Sequence, residues 1–195
     1  MGRHSERETR RKEIVRAFAR VLANHGYAGA TIQAVADEAG LSPGLLHHHF
    51  KDKHEMLEEL FTTLTKGFND RLKAIQGEDP VDLDTFIDAA LKLDQNSDLV
   101  SARCWVGVFS EALRSPPLFA RFKRHFEAEI KTIELASQGT LDPAGCSALI
   151  AFILGSLVFG AFAPKKTAGF AAPAAKSLVQ ALSRNYTLKN EHGPT

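Results

Sequence analysis

Cysteine is scarce in this 195-residue chain: Cys104 and Cys146 are the only two. That excludes a disulfide-stapled scaffold and a cysteine-rich zinc module. β-Strand grammar is missing as well. No run of Val, Ile and Thr alternates strictly with polar residues, and no Asn-Gly or Asp-Gly hairpin turn occurs. Net charge is small, 24 Lys and Arg against 23 Asp and Glu, so any binding to nucleic acid must come from a local patch rather than the whole-molecule field. The longest near-continuous apolar run, Ala148 to Ala163, is 16 residues with two glycines and a serine. A lipid-spanning helix needs roughly 20, which favours a buried helix and no membrane partner. The polar amino terminus has no apolar signal region, an argument for a cytoplasmic chain. Nucleophile elbows, glycine-rich phosphate loops and His-Glu zinc signatures are missing too, so the sequence is not read as an enzyme and calls for no cofactor.

What is present is helical periodicity from end to end. A first amphipathic stretch from about Thr9 carries Ile14, Ala17, Phe18, Val21 and Leu22 on one stripe, with Gly26 as a stop. Thr31 can cap a short helix ending at Ala39, and Gly40 sits where a left-handed backbone is needed. Ser42 and Pro43 open another short helix, ending near Lys51-Asp52, and Asp52 caps a longer one. Further helices are predicted over Leu83 to Leu93, Leu99 to Leu113, Leu118 to about Ser137 (ended by Gly139), Asp142-Pro143 to Ala163, and Ala171 to Ser183, with Asn190 to Thr195 frayed. The fold class is all-α: a three-helix unit over residues 1–52, then a six-helix bundle over residues 53–195.

Two short helices separated by Gly40-Leu41-Ser42 are the helix–turn–helix arrangement, whose second helix enters the DNA major groove. Small Ala36 and Ala39 allow close helix approach, and Leu41 is placed to plug the core against Phe18 and Leu46. Ahead of them, seven basic side chains crowd residues 1–20 among only three glutamates, and none follows until Lys51. Arg3, Arg7, Arg10 and Arg11 are candidates for phosphate or minor-groove contacts, weighed against a solvated tail.

From Thr31 the chain reads TIQAVADEAGLSPGLLHHHFKDK. Together with the basic leading helix and Gly26-Tyr27, this resembles the amino-terminal domain of the TetR/AcrR family of bacterial transcriptional regulators over residues 9 to about 64. The resemblance implies a homodimeric repressor on a palindromic operator, released by a small molecule in the carboxy-terminal domain. It also implies residue roles: Thr31 on a backbone phosphate, and Ser42, Pro43, Gly44 and Leu45 opening the recognition helix toward the bases. His47 stands at the family's phosphate-binding tyrosine, His48 at a second aromatic, and Lys53 at a phosphate lysine. His49 matches a histidine that packs toward the domain core. An activator or an effector-independent architectural DNA-binding protein is the alternative. Four of the eight histidines fall between positions 47 and 54, yet adjacent helical positions diverge by about 100°, so His47, His48 and His49 cannot converge on a metal ion.

Eleven of the 13 phenylalanines and the sole tryptophan lie beyond residue 60, enough to wall a cavity between helices for an apolar effector. The expected lining is Phe61, Leu64, Phe68, Phe86, Trp105, Phe109 and Phe126, with Arg103 or Glu111 as polar fixers. The run WVGVFSEALRSPPL from Trp105 resembles the ligand domain of some family branches, among them BetI-like repressors. For the dimer contact the candidates are Leu149, Phe152, Ile153, Ser156, Leu157 and Gly160, with Leu178, Val179 and Leu182 from the last helix.

Overall fold

The computed structural model describes residues 2–77, 80–91, 95–163 and 169–191, and for 2–4, 95–98 and 184–191 the backbone alone. These residues form nine α-helices and no strand. They are α1 (Gly2–Gly29), α2 (Ile32–Ala39), α3 (Pro43–His49), α4 (Lys53–Gln76), α5 (Leu83–Leu91), α6 (Gln95–Ala112), α7 (Pro116–Ser137), α8 (Pro143–Phe162) and α9 (Ala171–Glu191).

Helix ends fall where side chains can satisfy free backbone groups. The Thr31 hydroxyl accepts from the Ala34 N–H at 3.1 Å, Ser42 from Leu45 at 3.2 Å, and the Asp52 carboxylate from Glu55 at 2.9 Å. Gly40, at φ +65°, closes α2 in the left-handed region that glycine enters without steric cost. α1 breaks at Gly26, at φ +68°, as its position predicts, but the helix begins two turns before Thr9. That early segment has no apolar stripe to announce it. α7 ends at Gln138, which takes the left-handed position itself (φ 49°) just before the predicted stop at Gly139.

Buried side chains gather in two clusters. The first centres on Ile14, Phe18, Val35, Leu46, Phe50, Met56 and Leu57, and continues into Cys104, Val108, Leu118 and Phe122 of α6 and α7. Leu41 packs against it, as expected. α6 lies directly on α1. A Cβ built on Gly107 would stand 3.1–3.2 Å from the Leu22 side chain, the Cys104 thiol donates to the Ala19 carbonyl at 3.4 Å, and Arg103 donates to the Ala23 carbonyl at 3.4 Å. Burial pushes the Cys104 thiol up to about 12, so it stays protonated and inert.

The second cluster joins Leu72 of α4, Leu83, Phe86, Ile87 and Ala90 of α5, Ile133 of α7, Cys146, Leu149 and Ile153 of α8, and Ala172 and Ala175 of α9. Lys176 fastens α9 to α5 through Asp88 at 3.1 Å and Asp84 at 3.4 Å. α8 departs from the expectation of a buried helix. Among the described residues it is the helix long and apolar enough to cross a membrane, at 20 residues. One face is in the core, while Ala151, Gly155, Val158, Phe159 and Phe162 lie exposed along the other.

Candidate nucleic-acid interface and interhelical cleft

α3 is two-faced. Leu46 is fully buried, and Phe50 just beyond the helix is 1% exposed. Gly44, Leu45, His47 and His48 point outward, and the space beside the Gly44 Cα is empty. Ser42 is exposed and Pro43 half-buried at the same end. Thr31 is exposed at the start of α2, so both short helices present their capped amino-terminal ends to solvent. A helix amino terminus carries partial positive charge and free N–H groups, the local chemistry that receives phosphate oxygen.

The third histidine turns inward. His49 is half-buried, and its Nδ1 lies buried without a hydrogen-bond partner. Burial first, then the cations Arg7, Arg10 and Arg11 and neighbouring His48, hold its pKa below the ordinary imidazole value. Its carbonyl accepts from Arg11.

That bond belongs to a tie that removes Arg11 from the predicted DNA contacts. The guanidinium donates to Glu55 at 3.0 Å and to Glu59 at 3.3 Å, and stacks over the Phe50 ring at 3.9 Å. Glu55 also accepts from the Lys51 N–H at 2.7 Å. Arg11 therefore clamps α1 to the end of α3 and the start of α4, a charge-assisted contact with little left for a phosphate. Arg10 remains at the surface in a 2.7 Å pair with Glu13, and Arg7 is exposed. The side chain of Arg3 lies outside the described residues. Lys53 is seated on Tyr27: its ammonium donates to the Tyr27 carbonyl at 3.1 Å and lies 4.2 Å from the ring centroid. An ammonium has three donors, so this seat leaves others for an anion.

In the other half, a narrow cleft open to solvent runs between α4, α5, α6, α7 and α8. Four predicted lining residues are there: Phe68, Phe86, Trp105 and Phe126. Phe61, Leu64 and Phe109 are not. Phe61 stacks on Phe122 at 4.7 Å, Phe109 lies tilted against Phe122 at 4.8 Å, and Leu64 packs on the first core. The polar fixers are also different. Arg103 is committed to α1, and Glu111 acts near Tyr27, whose pKa is raised by burial and then by Glu111 and Asp52. In their place stand Arg71, Ser101, His125 and Glu129. His125 and Glu129 share the α7 face of Phe122 and Phe126 at three- and four-residue spacing, a pattern readable in the sequence.

The His125 Nδ1 lies 3.6 Å from a Glu129 carboxylate oxygen, and the two side chains are 17% and 12% exposed. Burial pushes Glu129 up to about 7 and His125 down, so burial disfavours the charged form of both. The His125 ring lies parallel to Trp105 at 6.2 Å. Arg71 donates its Nε–H to the Ala89 carbonyl at 3.1 Å. Two of the predicted dimer residues face this cleft instead, Ile153 and Leu157, and Leu149 is fully buried in the second core. α8 is apolar nearly all round, so its sequence carries no phase to tell its faces apart. Phe152, Ser156, Gly160, Leu178, Val179 and Leu182 are half-buried, with Phe152, Val179 and Leu182 packed on the second cluster.

Two short capped helices, the second with a buried leucine behind and an open polar face in front, define a helix–turn–helix protein of the kind that reads DNA. The family model described as "Bacterial regulatory proteins, tetR family" matches residues 14–60. The HTH-type transcriptional regulator BetI of Paraburkholderia phytofirmans is 30% identical over 116 residues, 57% of this chain and 59% of that relative. BetI of Stenotrophomonas maltophilia is 27% identical over 81% of this chain and 87% of its own. A crystal structure of a TetR transcription regulator from Haloarcula marismortui superposes with a TM-score of 0.78 at 22% identity, covering 90% of this chain and 98% of that one. The amino-terminal unit of the chain thus resembles that of the TetR family, and these relatives are named as transcriptional regulators.

Proposed function

We propose that the protein is a homodimeric repressor acting in the cytoplasm, bound to a palindromic operator and released when a small, largely apolar effector enters the cleft. The observation that carries this reading is the double duty of α6. Ser101 and Trp105 line the cleft, while Arg103, Cys104 and Gly107 hold α1, the helix behind the DNA-facing unit. A compound that prefers one position of α6 shifts the population of DNA-competent molecules by its differential affinity.

In this reading Gly44, Leu45, His47 and His48 meet base edges and sugars, and Thr31, Ser42 and Lys53 meet phosphates, with Arg10 and Arg3 reaching along the flank. The exposed face of α8, with Val158, Phe159 and Phe162, pairs with the same face of a second copy across a two-fold axis. The two recognition helices then stand about 34 Å apart or a multiple of it, one duplex turn.

Fluorescence anisotropy against a labelled fragment of the protein's own upstream region, beside a scrambled fragment, at two salt concentrations, tests the reading. Tight binding with a clear preference for the first supports a sequence-specific autoregulator. Equal, weak and steeply salt-dependent binding to both overturns it in favour of an architectural DNA-binding protein.

A further inference from the structure

We infer that DNA binding by this protein takes up protons: His47 and His48, on the open face of α3, gain charge against the duplex, and operator occupancy rises as pH falls through neutrality. This rests on the DNA-facing reading above and adds its regulation.

The last turn of α3 is three consecutive histidines, and the structure divides them. His47 and His48 are exposed, and among the described residues neither side chain has a hydrogen bond or an ion pair. His49 turns inward, where burial first, then Arg7, Arg10, Arg11 and His48, disfavour its charged form and keep it out of the exchange. The elements around α3 bring charges that are engaged with one another. From α1, Arg10 pairs with Glu13, and Arg11 with Glu55 and Glu59 of α4. From α2, Asp37 accepts from Gln33 at 2.7 Å and Glu38 pairs with Arg20. Beyond α3, Asp52 caps α4, Lys53 is seated on Tyr27, and His54 lies 3.3 Å from Ser115 and 3.7 Å from Glu58. Arg7 and Lys51 are exposed cations. A counter-charge for His47 and His48 therefore comes from outside the chain, and the phosphates of a bound duplex supply it.

The carbonyl end of a helix favours positive charge, and so does the field of a polyanion. An ordinary imidazole is about three-quarters charged at pH 6 and only a few per cent charged at pH 8. Thr31, Ser42, Gly44 and Leu45 carry nothing that titrates in that range, and lysine and arginine keep their charge across it. His47 and His48 are therefore where the proposed DNA face changes its charge. The proposed dimer presents four such rings, so a tenfold rise in affinity from pH 8 to pH 6 asks less than about twofold of each. Each imidazolium set against a phosphate also releases a counterion, and the dependence on salt steepens as pH falls. A proton taken up at Glu129, in the cleft, leaves that dependence unchanged.

The test measures anisotropy with the full-length protein at pH 6, 7 and 8, at two salt concentrations held equal across pH. The probes are the labelled upstream fragment and its scrambled counterpart. Two double variants accompany the unmodified protein: His47→Gln with His48→Gln, which never charges there, and His47→Lys with His48→Lys, which always does. The ratio of affinities at pH 6 and pH 8 is read within each protein. The expected ratio is at least about tenfold for the unmodified protein, with a slope of log affinity against log salt steeper by about 1 or more at pH 6. In both variants the ratio falls to within about twofold. Calorimetry in two buffers of different ionisation enthalpy counts the protons of the unmodified protein should a variant fold poorly. There, no uptake, or uptake without the steeper salt slope, overturns the inference. A flat pH profile overturns it too, and a surviving preference for the upstream fragment then leaves the DNA-reading function standing. A tenfold ratio that persists in the glutamine variant assigns the proton to another group and also overturns it. Equal binding of the two fragments overturns the sequence-specific reading alone, because the pH ratio is still read on both. Absence of binding to either fragment at every pH overturns both.

Discussion

The two buried clusters differ in what they leave open. Around Phe18 and Phe50 the packing is closed, with both rings fully buried. Around Ile153 the second cluster gives way to a cleft on one flank of α8 and to an exposed apolar face on the other. The closed cluster holds the side chains of α3 in a fixed frame, which base reading requires. The open one has room to exchange partners. One chain thus combines a closed region with one that keeps a cleft.

The comparison breaks most visibly in the core. Phe18→Ala should cost about 3–5 kcal/mol, because a ring is removed where nothing can collapse into the void. Phe68→Ala, beside the existing cleft, should cost clearly less, and urea denaturation of both variants gives the difference directly. Equal losses would erase the distinction between the closed and the open region.

A second contrast lies in pH. The ordinary value for Glu129 is 4.5 and burial carries it to about 7. The folded state binds its proton more tightly than the unfolded state does, so this group leaves stability intact below about pH 4.5 and lowers it as pH rises toward 7. Replacing Glu129 with Gln removes that loss. The variant should gain on the order of 2 kcal/mol at pH 8 and nothing at pH 4, read from denaturation midpoints across pH.

Arg11 and Arg10 sharpen the contrast within α1. Arg11→Ala should destabilise by about 1–2 kcal/mol, since it deletes charge-assisted bonds joining three helices. Arg10→Ala deletes an exposed pair and should stay within about 0.5 kcal/mol. Smallest is Lys53→Ala, expected to weaken binding to all DNA alike and to lower the slope of log affinity against log salt by about 1. An unchanged slope would restrict Lys53 to its seat on Tyr27.

The legible parts of the chain are those whose side chains bond to the backbone nearby. Thr31, Gly40, Ser42 and Asp52 fix helix ends through contacts three or four residues long, and each falls where its residue type predicts. The start of α1 is not legible, because the polar segment before Thr9 has no buried stripe. The two sides of α8 are equally apolar, so only tertiary packing decides that Leu149 goes inward and Phe159 outward. Arg11 shows the same limit. Its basic neighbours suggest a DNA contact, and its true partners, Glu55 and Glu59, lie more than 40 positions along the chain.

The position of α6 between the cleft and α1 works in both directions. Coupling between two sites is one free energy, shared by both ligands. Whatever factor a compound at Trp105 takes from the affinity for DNA, the operator takes from the affinity for that compound. Under the proposed function, a molecule already seated on DNA is therefore the poorest detector of its effector, and the free copies fill first. The number of operator-bound molecules relative to free ones then sets the effector concentration at which the response begins.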